Sequence, residues 1–121
     1  MTVLVIDDEE DVRLIATMSL GRVGRMQVIE AIGGADGIAK AAQHQPDFIL
    51  LDMMMPGMDG EATFRALRAN PATASIPVIF LTAKAMNAEL DKLRALGAKG
   101  VILKPFNPMT LATQVRAVLE Q

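Results

Sequence analysis

Phe48-Ile49-Leu50-Leu51-Asp52 is an apolar run that ends on a carboxylate, and other runs of the chain also end on charged or polar residues. Val3-Leu4-Val5-Ile6 is followed by Asp7 and Asp8, Val78-Ile79-Phe80-Leu81 by Thr82, and Val101-Ile102-Leu103 by Lys104. If these runs are parallel strands of one sheet, all of the polar groups meet at one edge. Open α/β sheets bind ligands outside the carboxyl ends of their strands, where the strand order reverses. Carboxylates gathered there repel one another unless a cation neutralises them, and a lysine with a hydroxyl suits anionic oxygens. The pattern asks for a divalent metal and a phosphoryl group.

Helical patterns separate the runs. Val12, Ile15, Ala16, Ser19, Leu20 and Val23 keep helical spacing, punctuated by Gly21 and Gly24. Met26 to Glu30 reads as a shorter strand whose polar Gln27 suits a sheet edge. Ile38, Ala39 and Ala42 mark a second helix, stopped at Gln45-Pro46 because the residue before proline avoids the helical region. Asp47 to Leu51 is a buried strand, and Asp59-Gly60 opens a third helix that Asn70-Pro71 closes. Ile76 to Leu81 is the next strand, with Pro77 near its start, where a missing donor is tolerated. Met86, Leu90, Leu93 and Leu96 give a fourth helix ended by Gly97, and a fifth strand runs from Lys99 to Leu103. Asn107 as a side-chain cap and Pro108 at the first helical position start the last helix. Such alternation with short connections predicts a parallel sheet covered on both faces by right-handed crossovers, a doubly wound α/β domain.

A chain of 121 residues fits one domain, residues 1–121, and can bury roughly two thirds of the surface it exposes unfolded. No apolar run approaches the roughly 18 residues of a membrane span, and no basic leader precedes the first strand. The absence of cysteine excludes disulfides and thiolate metal sites. The formal net charge of −2 and the acidic stretch Asp7-Asp8-Glu9-Glu10-Asp11 are the opposite of a nucleic-acid-binding stripe. Arg65, Arg68, Lys92, Arg94 and Arg116 are scattered and read as solvated faces. The expectation is a cytoplasmic protein with no membrane insertion and no direct contact with nucleic acid.

Asp7-Asp8, then Leu51-Asp52-Met53-Met54-Met55-Pro56-Gly57-Met58-Asp59-Gly60, then Leu81-Thr82-Ala83, then Gly97-Ala98 leading to Leu103-Lys104-Pro105-Phe106 resemble, in order and over the whole chain, the receiver domain of two-component response regulators. The resemblance implies the flavodoxin-like (βα)5 three-layer sandwich with strand order 2-1-3-4-5. It implies that Asp52 accepts a phosphoryl group from a phosphohistidine of a sensor histidine kinase or phosphotransfer protein. Mg2+ would be held by Asp8, Asp52 and the backbone carbonyl of Met54, with Asp7 acting through water. Thr82 and the backbone N–H of Ala83 would bind phosphoryl oxygens, and Lys104 would bridge toward the phosphoacceptor. The Lys104-Pro105 bond would be cis, aiming the lysine inward. Output would pass by protein contact to an unknown downstream protein, from a monomer or weak dimer. A receiver module trimmed from a larger regulator or hybrid kinase would read identically.

Other readings fare worse. A phosphatase using Asp52 as nucleophile, as in haloacid-dehalogenase-like hydrolases, needs a second aspartate two positions on as general acid, where Met54 stands. A flavin site needs a phosphate loop after the first strand, where the acidic residues would repel it. Two positions depart from the family. Val101 replaces an aromatic ring that often responds to phosphorylation through the threonine, so signalling from Thr82 would bypass a ring swing. Met54 and Lys84 occupy the positions that tune hydrolysis of the acyl phosphate. Met53, Met54, Met55 and Met58 are expected mainly to fill gaps. His44 reads as solvated near a helix's negative end and Phe106 as core.

Overall fold

The computed structural model describes residues 1–83 and 87–121, so Lys84, Ala85 and Met86 lie outside the described residues. Lys84 is one of the two positions expected to tune hydrolysis of the acyl phosphate, and Met86 is the first position of the fourth helical pattern. The strands are β1 (Thr2–Ile6), β2 (Gln27–Ala31), β3 (Phe48–Asp52), β4 (Val78–Thr82) and β5 (Gly100–Leu103). The helices are α1 (Glu10–Met18), α2 (Gly34–His44), α3 (Gly60–Ala69), α4 (Asn87–Ala95) and α5 (Leu111–Leu119). All strand pairs are parallel and the sheet order is β2-β1-β3-β4-β5, the flavodoxin-like order expected from the sequence.

Successive residues of a strand point to opposite faces, so each buried run feeds two cores. Val3, Val5, Leu50, Ile79 and Leu81 pack with Ala16 and Leu20 near α1 and with Leu111 and Val115 of α5. Leu4, Ile6, Ile49, Leu51, Val78 and Phe80 pack on the other side with Ala41 of α2, Phe64 and Leu67 of α3, and Leu93 of α4. The central strands β3 and β4 are buried throughout, whereas β2 and β5, at the sheet edges, carry exposed positions. No described helix is long and apolar enough to cross a membrane.

Helix ends differ from the sequence reading in instructive ways. The first helical pattern ends at Gly24, one of the two glycines that marked its end, but over Ser19–Val23 it widens into a π-helical turn, closed by a hydrogen bond from the Gly24 N–H to the Ser19 carbonyl at 3.0 Å. The buried Ser19 hydroxyl donates to the Pro108 carbonyl, which ties this turn to the approach to α5. α2 ends at Gln45 in the left-handed region (φ 49°), where the side-chain amide donates to Ala72 O at 2.8 Å. Asn107 Oδ1 accepts from the Met109 N–H at 2.9 Å and its carbonyl accepts from Leu111 at 3.0 Å, so Asn107 caps a first turn that precedes the regular part of α5.

Two arginines read as solvated are structural. The Arg68 guanidinium lies 4.6 Å from the Phe64 ring centroid and donates to Ile76 O at 2.9 Å, while Arg116 donates to Gly24 O at 2.6 Å. Arg65 and Lys92 pair with Glu61 on the surface. The methionines divide: Met55 is buried and Met53 half-buried, but Met54 is 65% exposed and Met58 39%. His44 is exposed, and Phe106 is half-buried against the α1/α5 core.

The Phe80 and Phe64 rings pack at 5.3 Å between centroids, tilted by 60°, and fasten α3 to the sheet. Phe80→Ala should therefore lower the unfolding free energy by about 3–5 kcal/mol, the usual cost of deleting a buried ring. Urea titration measures this, and a loss below about 1 kcal/mol would show that the ring does not anchor the layer.

Candidate functional site

Parallel pairing sets the site. Ile6 is level with Leu51, Asp52 with Leu81, and Thr82 with Leu103, so Asp7, Asp52, Thr82 and Lys104 emerge side by side. Asp52 and Thr82 are the last residues of β3 and β4, and both are buried. The Lys104 N–H donates to Thr82 O at 2.8 Å, extending the β4–β5 ladder by one bond, and the Lys104-Pro105 peptide is cis. Ala83 is exposed directly beyond Thr82.

The side chains converge. Lys104 Nζ lies 2.9 Å from Asp52 Oδ1 and 3.4 Å from Asp7 Oδ2. Carboxylate oxygens of Asp7, Asp8 and Asp52 all lie within 4.8 Å of one another; Asp7 and Asp52 are buried and Asp8 is exposed. Asp7 Oδ1 accepts from the Glu9 N–H at 2.9 Å, so part of the acidic loop braces itself. The Met54 N–H points at Asp52 Oδ1 at 3.3 Å, while the Met54 side chain turns to solvent.

The electrostatics are unbalanced. Burial, with the charge of Asp52 adding to it, pushes the Asp7 carboxyl up to about 6 against the restraint of the Glu9 N–H and Lys104. Burial alone would lower the Lys104 pKa, but its hydrogen bond to Asp52 and the charges of Asp7 and Asp52 outweigh that and raise it. The lysine thus stays an ammonium, and it is outnumbered by three carboxylates. Among the described residues, the buried Asp52 Oδ2 has no hydrogen-bond partner. An unpaired carboxylate oxygen in that position is costly. A set of hard oxygen donors with one of them unsatisfied fits a divalent cation such as Mg2+, which accepts few protein ligands because it retains water.

Two contributors escaped the sequence reading. A Cβ on Gly60 would sit 2.4 Å from Asp52 O and 2.7 Å from Met53 Cα, so only glycine lets α3 start this close to the end of β3. Asp59-Gly60 marked a helix start in sequence, and Asp59 does cap it through Ala62 N at 2.8 Å, but the close approach is a tertiary fact. Arg13 of α1 donates to the Asp7 carbonyl at 2.9 Å, a contact that no local spacing rule announces.

The profile of the response regulator receiver domain matches residues 3–116. The chain belongs to that family. It is 37% identical over 119 residues to protein PilH of Pseudomonas aeruginosa, covering 97% of this chain and 96% of PilH. It is 38% identical to PilG of the same organism, covering 97% of this chain and 86% of PilG. The phosphate regulon transcriptional regulatory protein PhoB of Pseudomonas aeruginosa is 37% identical over 122 residues, and there the chain spans only 52% of the relative's length. Among solved structures, the chemotaxis protein CheY4 of Vibrio cholerae superposes with a TM-score of 0.89 at 32% identity, covering 97% of both chains. The protein is thus a receiver of two-component signalling, a family of phosphoacceptor switches.

The raised Asp7 carboxyl makes stability depend on pH in a defined sense. In the unfolded chain this group titrates near its ordinary value, so between about 6 and about 4 the folded form holds a proton that the unfolded form has lost. Lowering pH through that window stabilises the fold, and raising it removes the contribution. In chelator, the stability of Asp7→Asn relative to wild type should be more favourable at pH 7.5 than at pH 5 by on the order of 1–2 kcal/mol. Denaturant melts at the two pH values read the difference, and parallel profiles would contradict it.

Proposed function

We propose that the protein takes a phosphoryl group onto Asp52 from a phosphohistidine of a sensor histidine kinase or phosphotransfer protein. The observation that carries this reading is the buried Asp52 carboxylate, held on one oxygen by Lys104 and, among the described residues, without a partner on the other. A carboxylate oxygen of Asp52 forms the bond to phosphorus as the phosphorus–nitrogen bond of the donor breaks, and the electron pair of that bond stays on the imidazole. Lys104, already 2.9 Å from Asp52, offsets charge on the transferring group. Thr82 and the backbone N–H of Ala83, side by side at the end of β4, hold phosphoryl oxygens. Asp8, Asp52 and the Met54 carbonyl would hold Mg2+, with Asp7 acting through water, and the ion would supply the remaining charge neutralisation. Positioning and charge are most of what phosphoryl transfer requires of a protein.

An apolar groove beside the site gives a donor protein a place to rest. Val12 and Ile15 of α1 line it together with Ala83, Lys104, Pro105 and Phe106, so a partner seated there reaches the ammonium and the end of β4. Output follows by protein contact, within the cytoplasm, and the same site hydrolyses its acyl phosphate slowly. Val101, level with Phe80 across the β4–β5 ladder, is half-buried against the core under α3 and α4 and has no ring to swing. The response therefore travels through Thr82 and the segment that follows it.

With acetyl phosphate as donor, wild type should gain a phosphoryl group only when magnesium is present, and Asp52→Asn should gain none. Intact mass reads the modification, and full labelling of the variant would sink the assignment. For output, amide chemical shifts with and without beryllium fluoride, a stand-in for the phosphoryl group, should change less in Thr82→Ala and change normally in Val101→Ala. A normal response in the first variant or a lost one in the second would reroute the signal.

A further inference from the structure

We infer that Arg13 is a positioning residue for the acidic cluster, fixing the peptide between Asp7 and Asp8 and, through it, the direction of the Asp8 carboxylate. The inference rests on the reading of Asp8 as a metal ligand. Arg13 Nη1 donates to the Asp7 carbonyl at 2.9 Å, and its Nε lies 3.5 Å from Glu30 Oε1 on β2. The Arg13 side chain is only 14% exposed, so the guanidinium is packed against the Asp7 peptide, while its partner Glu30 is 45% exposed at the sheet edge. Asp7 is held at each other group too: its N–H donates to Ala31 O at 3.2 Å, Oδ1 accepts from Glu9, and Oδ2 faces Lys104.

Asp8 has none of these restraints. It is exposed, and among the described residues its carboxylate has no hydrogen-bond or ion-pair partner. What orients it is the backbone that carries it. The carbonyl of Asp7 and the N–H of Asp8 share one rigid plane, so the bond from Arg13 sets where Asp8 leaves the strand. Glu30 in turn holds the guanidinium, and Glu30 is level with Val5 in the sheet. The chain of contacts runs from the edge strand to the loop that bears the aspartates. Partners that orient metal ligands are worth about 10–100-fold in affinity where they have been removed from other sites.

Titration of the full chain with Mn2+, read by the loss of its free-ion paramagnetic signal, tests the clamp. Arg13→Gln should weaken Mn2+ binding by about tenfold, while melting in chelator shifts far less than for a core substitution. Arg13→Lys keeps the charge but lacks the two-pronged planar group, and it should fall between wild type and Arg13→Gln. Glu30→Ala leaves Arg13 in place without its anchor and should weaken binding by a smaller factor, which keeps the test open if Arg13→Gln does not fold. Unchanged Mn2+ affinity in the folded variants, or Arg13→Lys binding like wild type, overturns the positioning role and leaves the metal site standing. Failure of wild type itself to bind Mn2+, or binding undiminished in Asp8→Asn, overturns the reading of Asp8 instead and the inference with it.

Discussion

Lys104 Nζ against Asp52 Oδ1, at 2.9 Å, is the contact on which the site depends. It joins the end of the edge strand β5 to the end of the central strand β3, across β4. The neighbouring Asp7 oxygen at 3.4 Å brings β1 into the same cluster. These charges are brought together by the sheet and not by their own attraction. The apolar runs of β1, β3 and β4 are completely buried, and a register slip by one residue would exchange the two cores. Hydrophobic registration thus forces together two buried carboxylates that would otherwise repel. The ammonium makes the arrangement tolerable without neutralising it, as the raised Asp7 carboxyl and an Asp52 Oδ2 without a partner among the described residues record.

Much of this architecture could be read in the sequence because two simple codes agree. Buried parallel strands read as unbroken apolar runs, and the polar residue ending each run marks the carboxyl edge. Strand order and the meeting of Asp7, Asp52, Thr82 and Lys104 follow from those codes with the family resemblance. What escaped was tertiary. The Ser19 hydroxyl reaches Pro108, 89 positions away in sequence, and the π turn that delivers it cannot be inferred from the spacing of α1. Arg68 and Arg116 carry charge like any solvated arginine, and only the fold supplies the Phe64 ring, the Ile76 carbonyl and the Gly24 carbonyl that occupy them. The four methionines shared one composition signal but separated by position, since Met55 turns into the core while Met54 and Met58 face outward.

Gly60 shows how the backbone serves the site without contributing a functional group. Its missing Cβ lets the first residue of α3 press against the Asp52 carbonyl, and its N–H donates to Met53 O at 3.0 Å. Gly57, at φ 72°, turns the chain between these two anchors, following Pro56. The loop after Asp52 is therefore fixed at both ends, and the Met54 N–H is held near Asp52 Oδ1. A hydrogen-bonded loop on this side and, on the other, an exposed Asp8 with no partner among the described residues give the cluster one braced wall and one adaptable one.

That asymmetry bears on how the proposed switch can work. A ligand shifts a conformational equilibrium only by binding one state better than the other. The braced wall, with Asp52 buried and its loop tied at both ends, offers little difference between states. In the proposed switch the difference comes from the Lys104 ammonium, on a flexible stem just past the end of an edge strand, and from the Thr82 hydroxyl at the end of β4. With Val101 in place of a ring, no large side chain at the β5 edge has to cross a barrier in that switch. The unmet charge around Asp52 biases the same equilibrium, because whatever cancels it stabilises the arrangement in which the carboxylates stand closest. Under the proposed function, metal binding and phosphoryl transfer would both draw on one store of electrostatic imbalance, which the sheet creates as the chain folds.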